Sequence, residues 1–266
     1  MKRSSLFWGT ILLLGGILLL LDNLNLLPVR VWDLLWPTLL VVLGIWILVG
    51  SLTNRRVFEE EHVVIPLEGA DRANLRINHG AGRIRLRSES SSDALVEGDF
   101  GGGLNMRTQR QGNTLDVEMS VPSRNFSMGP WGWNRQGMNW SFGVNQHIPL
   151  RIDIKTGANE ADLDLTDLQV TDLRMSTGAS STRLALPASA GHTKVYIEAG
   201  AASVSIRVPE NVAAHIRSHG GLSSNTIHTG RFPRRDVGVY QSEDYDLAQN
   251  KVDIEIQSGV GSVDVR

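Results

Sequence analysis

The sequence predicts a membrane-anchored all-β protein, in which an N-terminal two-helix transmembrane hairpin is followed by a repeat-built, β-solenoid-like or β-helix-like domain. Two observations predict this fold class. Two uncharged apolar runs, Leu6–Leu21 and Leu34–Leu52, lie at the start of the 266-residue chain. From Val63 onward, apolar and polar residues alternate as in strands, and glycines recur at a nearly fixed spacing.

The apolar runs predict membrane-spanning helices over residues 4–23 and 34–52. A bilayer core about 30 Å thick requires about 20 apolar residues in a helix. A secretory signal peptide is the alternative for the first run, because Lys2 and Arg3 precede it. No small-x-small cleavage site follows that run, and the second run begins soon after it. We therefore expect residues 1–52 to form a retained helical hairpin.

The basic residues around the two spans predict the orientation of the hairpin. Lys2, Arg3, Arg55 and Arg56 lie outside the spans on one side, whereas Arg30 alone lies in the connecting loop. Basic residues near transmembrane helices concentrate on the cytoplasmic side. We therefore expect a multi-pass protein of the plasma membrane, with both termini and the β-domain in the cytoplasm.

After a charged juxtamembrane linker over residues 53–62, the β-domain shows a repeat centred on glycine. Apolar residues recur five and three positions before the glycine and six positions after it, with Ser218 as the exception. From Gly157 to Gly221 the copies are 21 or 22 residues apart. This period predicts stacked coils or repeated hairpins, and an ordinary β-sandwich is the alternative. The glycines expected to make the turns, by adopting positive φ, are Gly80, Gly157, Gly178, Gly200, Gly221 and Gly259.

The domain boundaries follow from a change in composition. Residues 63–147 are expected to form the N-terminal part of the β-domain, and residues 148–266 the repeat domain. A Trp- and Gly-rich insert over residues 124–146 interrupts the first part. It predicts either a long loop between strands or an aromatic surface that contacts the membrane interface or a partner. The candidate contact residues are Phe126, Trp131, Trp133, Trp140 and Phe142.

The sequence offers no catalytic residue, cofactor site or metal site. It has no cysteine and a net charge of -2, so neither thiol chemistry nor nucleic-acid binding is expected. Acidic residues between Glu160 and Asp172 alternate with apolar ones, which is typical of the solvated face of a strand; a calcium site is the weaker alternative. An enzyme acting on envelope polysaccharide would need paired carboxylates, and no such pair stands out.

Several motifs resemble those of a known family. Leu-Leu-Asp-Asn-Leu at residues 20–24 and Leu-Trp-Pro at residues 35–37 are similar to the LiaI–LiaF-type transmembrane region. Thr156-Gly157-Ala158 and its two successors, centred on Gly178 and Gly200, resemble the toastrack β-domain of LiaF-like cell-wall-active antibiotic response proteins. The resemblance implies an all-β stack without enzymatic activity that modulates membrane signalling.

The expected function is therefore that of a non-enzymatic regulatory or scaffold protein in bacterial cell-envelope stress signalling, with the β-domain as a protein-interaction module. The expected partners are the lipid bilayer and a membrane signalling protein such as a sensor histidine kinase, and the chain is also a candidate homo-oligomer. The alternative function is a self-assembling structural β-solenoid at the membrane. Its support is Ser262–Arg266, a terminal strand that would leave an edge free for pairing.

Overall fold

The computed structural model describes residues 36–37, 40–45, 60–88, 91–122 and 138–266. Residues 36–37 and 40–45 are helical and fall within the second predicted span; the remainder of both spans lies outside the described residues. Among the residues that the structure describes, no helix is long and apolar enough to cross a bilayer. The described residues from Glu60 onward belong to a separate compact unit, which is built of strands.

Strands account for most of this second unit, so the prediction of a mostly β, solenoid-like domain is confirmed. The described residues form thirteen strands: β1 (Glu60–Pro66), β2 (Arg72–Arg87), β3 (Ala94–Gly101), β4 (Asn105–Gln111), β5 (Thr114–Ser120), β6 (Asn139–Val144), β7 (Leu150–Asp164), β8 (Val170–Ala185), β9 (His192–Arg207), β10 (Ala213–Ile227), β11 (Arg234–Asp236), β12 (Val239–Gln241) and β13 (Lys251–Val265).

The long strands form a parallel stack in the spatial order β2, β7, β8, β9, β13, β10. Each consists of two arms separated by the repeat glycine. In β7, for example, Ile152 and Ile154 are buried before Gly157, and Ala161 and Leu163 are buried after it. The buried positions change parity at the glycine, as they do at a β-bulge, so both arms face the same core. Alternation along each arm thus places every apolar residue of the repeat in one core cluster.

The repeat glycines occupy one column across the stack. Residue-by-residue pairing between adjacent strands is interrupted at each glycine and at the glycine beside it on the next strand. Gly157 therefore lies opposite Gly80 on one side and Gly178 on the other. Gly200 follows Gly178, Gly259 follows Gly200, and Gly221 ends the column. The apolar positions that define the repeat are buried in all six strands, and Ser218 is buried with them.

The expectation that these glycines adopt positive φ is wrong. Gly157, Gly178, Gly200 and Gly259 are absent from the residues with positive φ. The requirement for glycine is instead steric: a Cβ on Gly157 would lie 2.6 Å from the carbonyl oxygen of Gly80, and one on Gly178 would lie 2.9 Å from that of Gly157. Adjacent strands approach so closely at the bend that a side chain has no space.

The spatial order of the last two long strands differs from their order in the sequence. β13 lies between β9 and β10 and pairs with both over its whole length. Ser262–Arg266, expected to leave a free edge, therefore lies inside the stack up to Val265, and this expectation is wrong. The long separation between Gly221 and Gly259 contains the short strands β11 and β12 and the return to the middle of the stack.

Shorter strands cover the β2 end of the stack. β5 pairs with the first arm of β2 and carries β4 on its other edge, while β6 pairs with the second arm and continues into β3 and β1. β1 begins at Glu60, so residues 60–62 of the expected linker belong to the sheet. β2 pairs directly with β7 across the expected boundary between residues 147 and 148; both sides of that boundary belong to one compact unit.

Candidate functional site

Two of the five aromatic residues expected to form a contact surface are buried in the core. Trp140 is 1% exposed and Phe142 is 4% exposed. Both lie in β6, where Phe142 stacks on Phe100 and Trp140 meets the same ring edge-on. This contradicts their assignment as partner or membrane contacts: the end of the insert alternates as a strand and fills the space between β2 and β3. Phe126, Trp131 and Trp133 lie outside the described residues.

The side chain of His79, the residue before Gly80, is buried beside Trp140. The imidazole of His79 is 1% exposed, and its Nε2 donates a hydrogen bond to the carbonyl oxygen of Met138 at 3.1 Å. The ring packs edge-on against the indole, with centroids 4.9 Å apart. Burial lowers the pKa of His79 from 6.5 to about 4, although the Met138 carbonyl opposes that shift. His79 is therefore a neutral core residue that holds the start of β6 to β2, and it is not placed to bind a partner.

The outer face of the first arms carries two columns of charged side chains that alternate in sign, except that Tyr196 in the second column is uncharged. Six positions before the glycine, the register aligns Arg151, Asp172, Lys194, Asp253 and His215 along β7, β8, β9, β13 and β10. Four positions before the glycine, the corresponding residues are Asp153, Arg174, Tyr196, Glu255 and Arg217. We call these two columns the charged face. Opposite charges on neighbouring strands stabilise a sheet, and the face remains accessible to solvent.

An open groove of about 500 Å³ lies on the charged face. Its charged side chains are balanced, because three basic residues (Arg174, Lys194 and Arg217) accompany three acidic ones. Such a surface fits a partner with interspersed charges better than a uniformly anionic or cationic one. The groove is lined by Asp172, Leu173, Arg174, Lys194, Val195, Tyr196, His215, Arg217, Asp253, Ile254 and Glu255.

Asp253 is the centre of a polar cluster at one side of the groove. Its carboxylate receives a hydrogen bond from the Tyr245 hydroxyl at 2.5 Å and lies 2.7 Å from Nε2 of His192 and 3.4 Å from Nδ1 of His215. Burial works to raise the pKa of Asp253, but the hydrogen bonds from Tyr245 and His192 outweigh it and lower the pKa below 3.8. Burial, with the hydrogen bond to Asp253, raises the pKa of Tyr245.

The chemistry of this cluster is that of a structural link. Tyr245 is a protonated donor and Asp253 an ionised acceptor, while His192 and His215 extend from the strands on either side of β13. Three strands and the preceding turn are thereby joined through one carboxylate. In the described part of the chain, no three His, Asp or Glu residues are grouped so that they could hold a metal ion.

The acidic alternation noted in the sequence lies mostly on the second arms. Glu160 pairs with Arg83 at 2.8 Å and with Arg183 at 3.5 Å, and these arginines lie on the strands on either side. The hydrogen bond and charge of Arg83 hold the pKa of Glu160 below its ordinary value. In the sequence, the charged face is visible only as polar residues four and six positions before each glycine. Which of these residues are neighbours depends on the order of the strands in the stack.

Comparison with solved structures supports this architecture. A crystal structure of a proposed cell adhesion protein from Clostridium sporogenes ATCC 15579 matches with a TM-score of 0.71 and 21% identity, covering 78% of this chain and 98% of that chain. A proposed adhesin from Bacteroides fragilis NCTC 9343 covers 77% of this chain and 95% of that chain, at 7% identity and a TM-score of 0.28, which is too low to carry an argument. A search of curated proteins found no match.

Family models match most of the sequence. Residues 6–48 match the LiaI-LiaF-like transmembrane region, which supports association with a membrane. Residues 53–207 match the N-terminal domain of toast_rack, DUF2154, and this match spans more than half of the chain. The protein therefore belongs to the toast_rack family and combines a LiaF-like transmembrane region with a toastrack β-domain.

Proposed function

We propose that this protein is a non-enzymatic, membrane-anchored regulator or scaffold in bacterial cell-envelope stress signalling, and that its β-domain binds a membrane signalling protein such as a sensor histidine kinase. The observation that carries the proposal is the groove on the charged face, built from adjacent strands of a rigid stack. Family membership supports the membrane anchor and the β-domain module.

The groove suits a protein partner for two reasons. Its charged residues project from strands whose positions are fixed by continuous pairing, so they are preorganised for binding. It is also open and balanced in charge, whereas small-molecule sites are enclosed and mostly apolar. A loop or strand of a partner with alternating charges would complement Arg174, Lys194 and Arg217.

The test removes the basic side chains of the groove without reversing their charge. In the triple variant Arg174→Gln, Lys194→Gln, Arg217→Gln, we expect recovery of the signalling partner, by crosslinking and capture from native membranes, to fall at least about tenfold, equivalent to about 1.4 kcal/mol. The cellular response to a wall-active antibiotic, read from an envelope-stress reporter, should change in parallel.

The matched control is Arg107→Gln, Arg207→Gln, Arg235→Gln, since these three arginines are exposed and do not line the groove. This control should behave like the wild type in both assays. A triple groove variant that kept its partner and its reporter response would contradict the proposed binding surface. A deletion strain with an unchanged response to wall damage would contradict the signalling role itself.

We also propose that the β-domain lies in the cytoplasm. Because the sequence has no cysteine, a single introduced thiol can test this location. Leu247 is 93% exposed, so a Leu247→Cys variant offers an accessible thiol. We expect a membrane-impermeant maleimide to label this variant only after cell lysis. Labelling of intact cells would place the β-domain outside and would contradict a cytoplasmic kinase-binding surface.

A further inference from the structure

The two ends of the strand stack are covered to different extents. At the β2 end, β5 and β6 cover both arms of β2. At the other end, β12 covers β10 only from His215 to Arg217, and the backbone N–H of Ser218 bonds to the carbonyl oxygen of Gly238. Among the described strands, none pairs with residues 219–227 on the side away from β13. The second arm of β10 is thus an open edge.

This open edge carries neither charged residues nor proline, two of the features by which edge strands resist pairing with other chains. Exposed edges are usually protected by charges, by proline or by bulges. The other edge strands follow this rule: β1 begins with two glutamates and ends with Pro66, β4 contains Arg107 and Arg110, and β11 has the sequence Arg-Arg-Asp. Residues 220–227 read Gly-Gly-Leu-Ser-Ser-Asn-Thr-Ile, without a charge or a proline.

Topology restricts the occupant of this edge. A parallel, head-to-tail continuation would require a free β2 end on the next molecule, and that end is already covered by β5 and β6. An antiparallel pairing of the second arm with its own copy is self-complementary under a two-fold axis. It would also direct the two β12–β11 caps away from each other, because each cap lies on the first arm.

We propose that residues 221–227 of β10, which are the repeat glycine and the second arm, pair antiparallel with the same segment of a second copy about a two-fold axis at Ser224, and that this joins two β-domains into a closed dimer. Ser224 and Thr226 are both exposed on this arm. In this register Ser224 lies opposite Ser224 of the second copy, whereas the two Thr226 residues are about 13 Å apart along the strands. The dimer is independent of the partner-binding groove, which lies on the first arms. It limits assembly to two copies and disfavours a filament.

The experiment uses the full-length chain, which has no cysteine, in native membranes. Single variants Ser224→Cys and Thr226→Cys are treated with a short bis-maleimide crosslinker. We expect a covalent dimer with Ser224→Cys and much less with Thr226→Cys, because the two copies of residue 226 are about 13 Å apart along the strands. The control is Ser181→Cys, because Ser181 is exposed and falls in the same column as Ser224, three strands away inside the stack. It should give at least tenfold less dimer.

A second variant tests the pairing by charge. Ser224→Lys with Thr226→Lys places like charges on the two copies, and we expect the particle purified in detergent to change from dimer to monomer mass, while Ser181→Lys leaves it dimeric. A wild-type protein that is monomeric, or a dimer that survives both lysines, would overturn the proposal. Crosslinking of Ser224→Cys to a different protein would also overturn it, because the edge would then serve another strand donor.

Discussion

At the residue scale, the glycine column is the strictest requirement of the fold. From Gly80 to Gly200 along the column, the carbonyl oxygen of each glycine lies only 2.6–3.0 Å from the position that a Cβ on the next glycine would occupy. A substitution therefore forces two strands apart at the bend, on which the pairing of both arms depends.

We predict that Gly157→Ala and Gly178→Ala each lower the free energy of unfolding by about 1–3 kcal/mol, the usual cost of overpacking. Their Cβ atoms would lie 2.6 and 2.9 Å from a backbone oxygen, and a backbone atom cannot yield like a flexible side chain. Urea denaturation of the full-length protein measures the change. The control is Gly230→Ala, whose nearest neighbour would lie at 3.6 Å; an equal loss there would contradict the steric explanation.

His79 makes a prediction about pH at the same scale. Its Nε2 donates to Met138, and its Nδ1 has no hydrogen-bond partner among the described residues, so a second proton would be a buried, unpartnered charge. Its folded pKa of about 4 lies below the ordinary 6.5. The unfolded chain therefore binds the proton first, and stability falls as the pH drops from 6.5 to 4, by about 3 kcal/mol in total.

Stability measured across that interval checks the role of His79. In the variant His79→Phe, which keeps an aromatic ring against Trp140, this part of the pH dependence should disappear. The other histidines with ion-pair contacts (His62, His192 and His215) are more exposed and are unchanged in this variant. The difference between the two stability profiles therefore reports on His79 alone. An unchanged pH profile in His79→Phe would show that another group causes the loss.

At the scale of the element, the cluster around Asp253 holds β13 in its position. The carboxylate contacts His192 of β9, His215 of β10 and Tyr245 of the preceding turn. One side chain thereby joins the inserted strand to both of its neighbours. No equivalent contact is available if β10 and β13 exchange places, because Asp253 would then lose its neighbour on β9.

We predict that Asp253→Asn lowers the free energy of unfolding at neutral pH by about 1–2 kcal/mol, since hydrogen bonds to an ionised carboxylate that is 37% exposed are replaced by weaker neutral ones. The folded pKa of Asp253 is below 3.8, so this contribution is present above that value and is lost as the pH falls through the lowered pKa. The acid unfolding curve of the variant should therefore approach that of the wild type below pH 3.8. Asp264→Asn, on the same strand, is the control and should have little effect.

At the scale of the whole molecule, the stack is completed by its last strand. β10 pairs with β13 and not with β9. As the last long strand of the stack, β10 therefore has no long strand beside it until β13, residues 251–265, has taken its position. Pairing between distant segments is slow to form because loop closure costs entropy.

We predict that removing residues 251–266 prevents the β-domain from reaching its native state, because it leaves the edges of both β9 and β10 unpaired. Size-exclusion chromatography and far-UV circular dichroism of the full-length and shortened chains measure this. Supplying residues 251–266 as a separate peptide should restore the native form. A shortened chain that folded unaided would show that β10 can pair directly with β9.

The sequence by itself determined which residues face inward. Alternation with a glycine-centred break is a local pattern, and every position assigned to the core by that pattern is buried. The same pattern, with the motifs around Gly157, Gly178 and Gly200, was sufficient to identify the toast_rack family. The glycine positions were visible in the sequence, but the steric reason for them was not.

Only the tertiary structure decided the order of the strands and the burial of the end of the insert as β6. β10 and β13 have the same inward pattern, so either order buries the same residues; the choice depends on outward contacts such as those of Asp253, which come from strands distant in the chain. Trp140 and Phe142 looked like surface aromatics because glycine and asparagine surround them, and they are core residues because β6 fills the gap between β2 and β3. Local periodicity specifies a face, whereas neighbours are specified by non-local pairing.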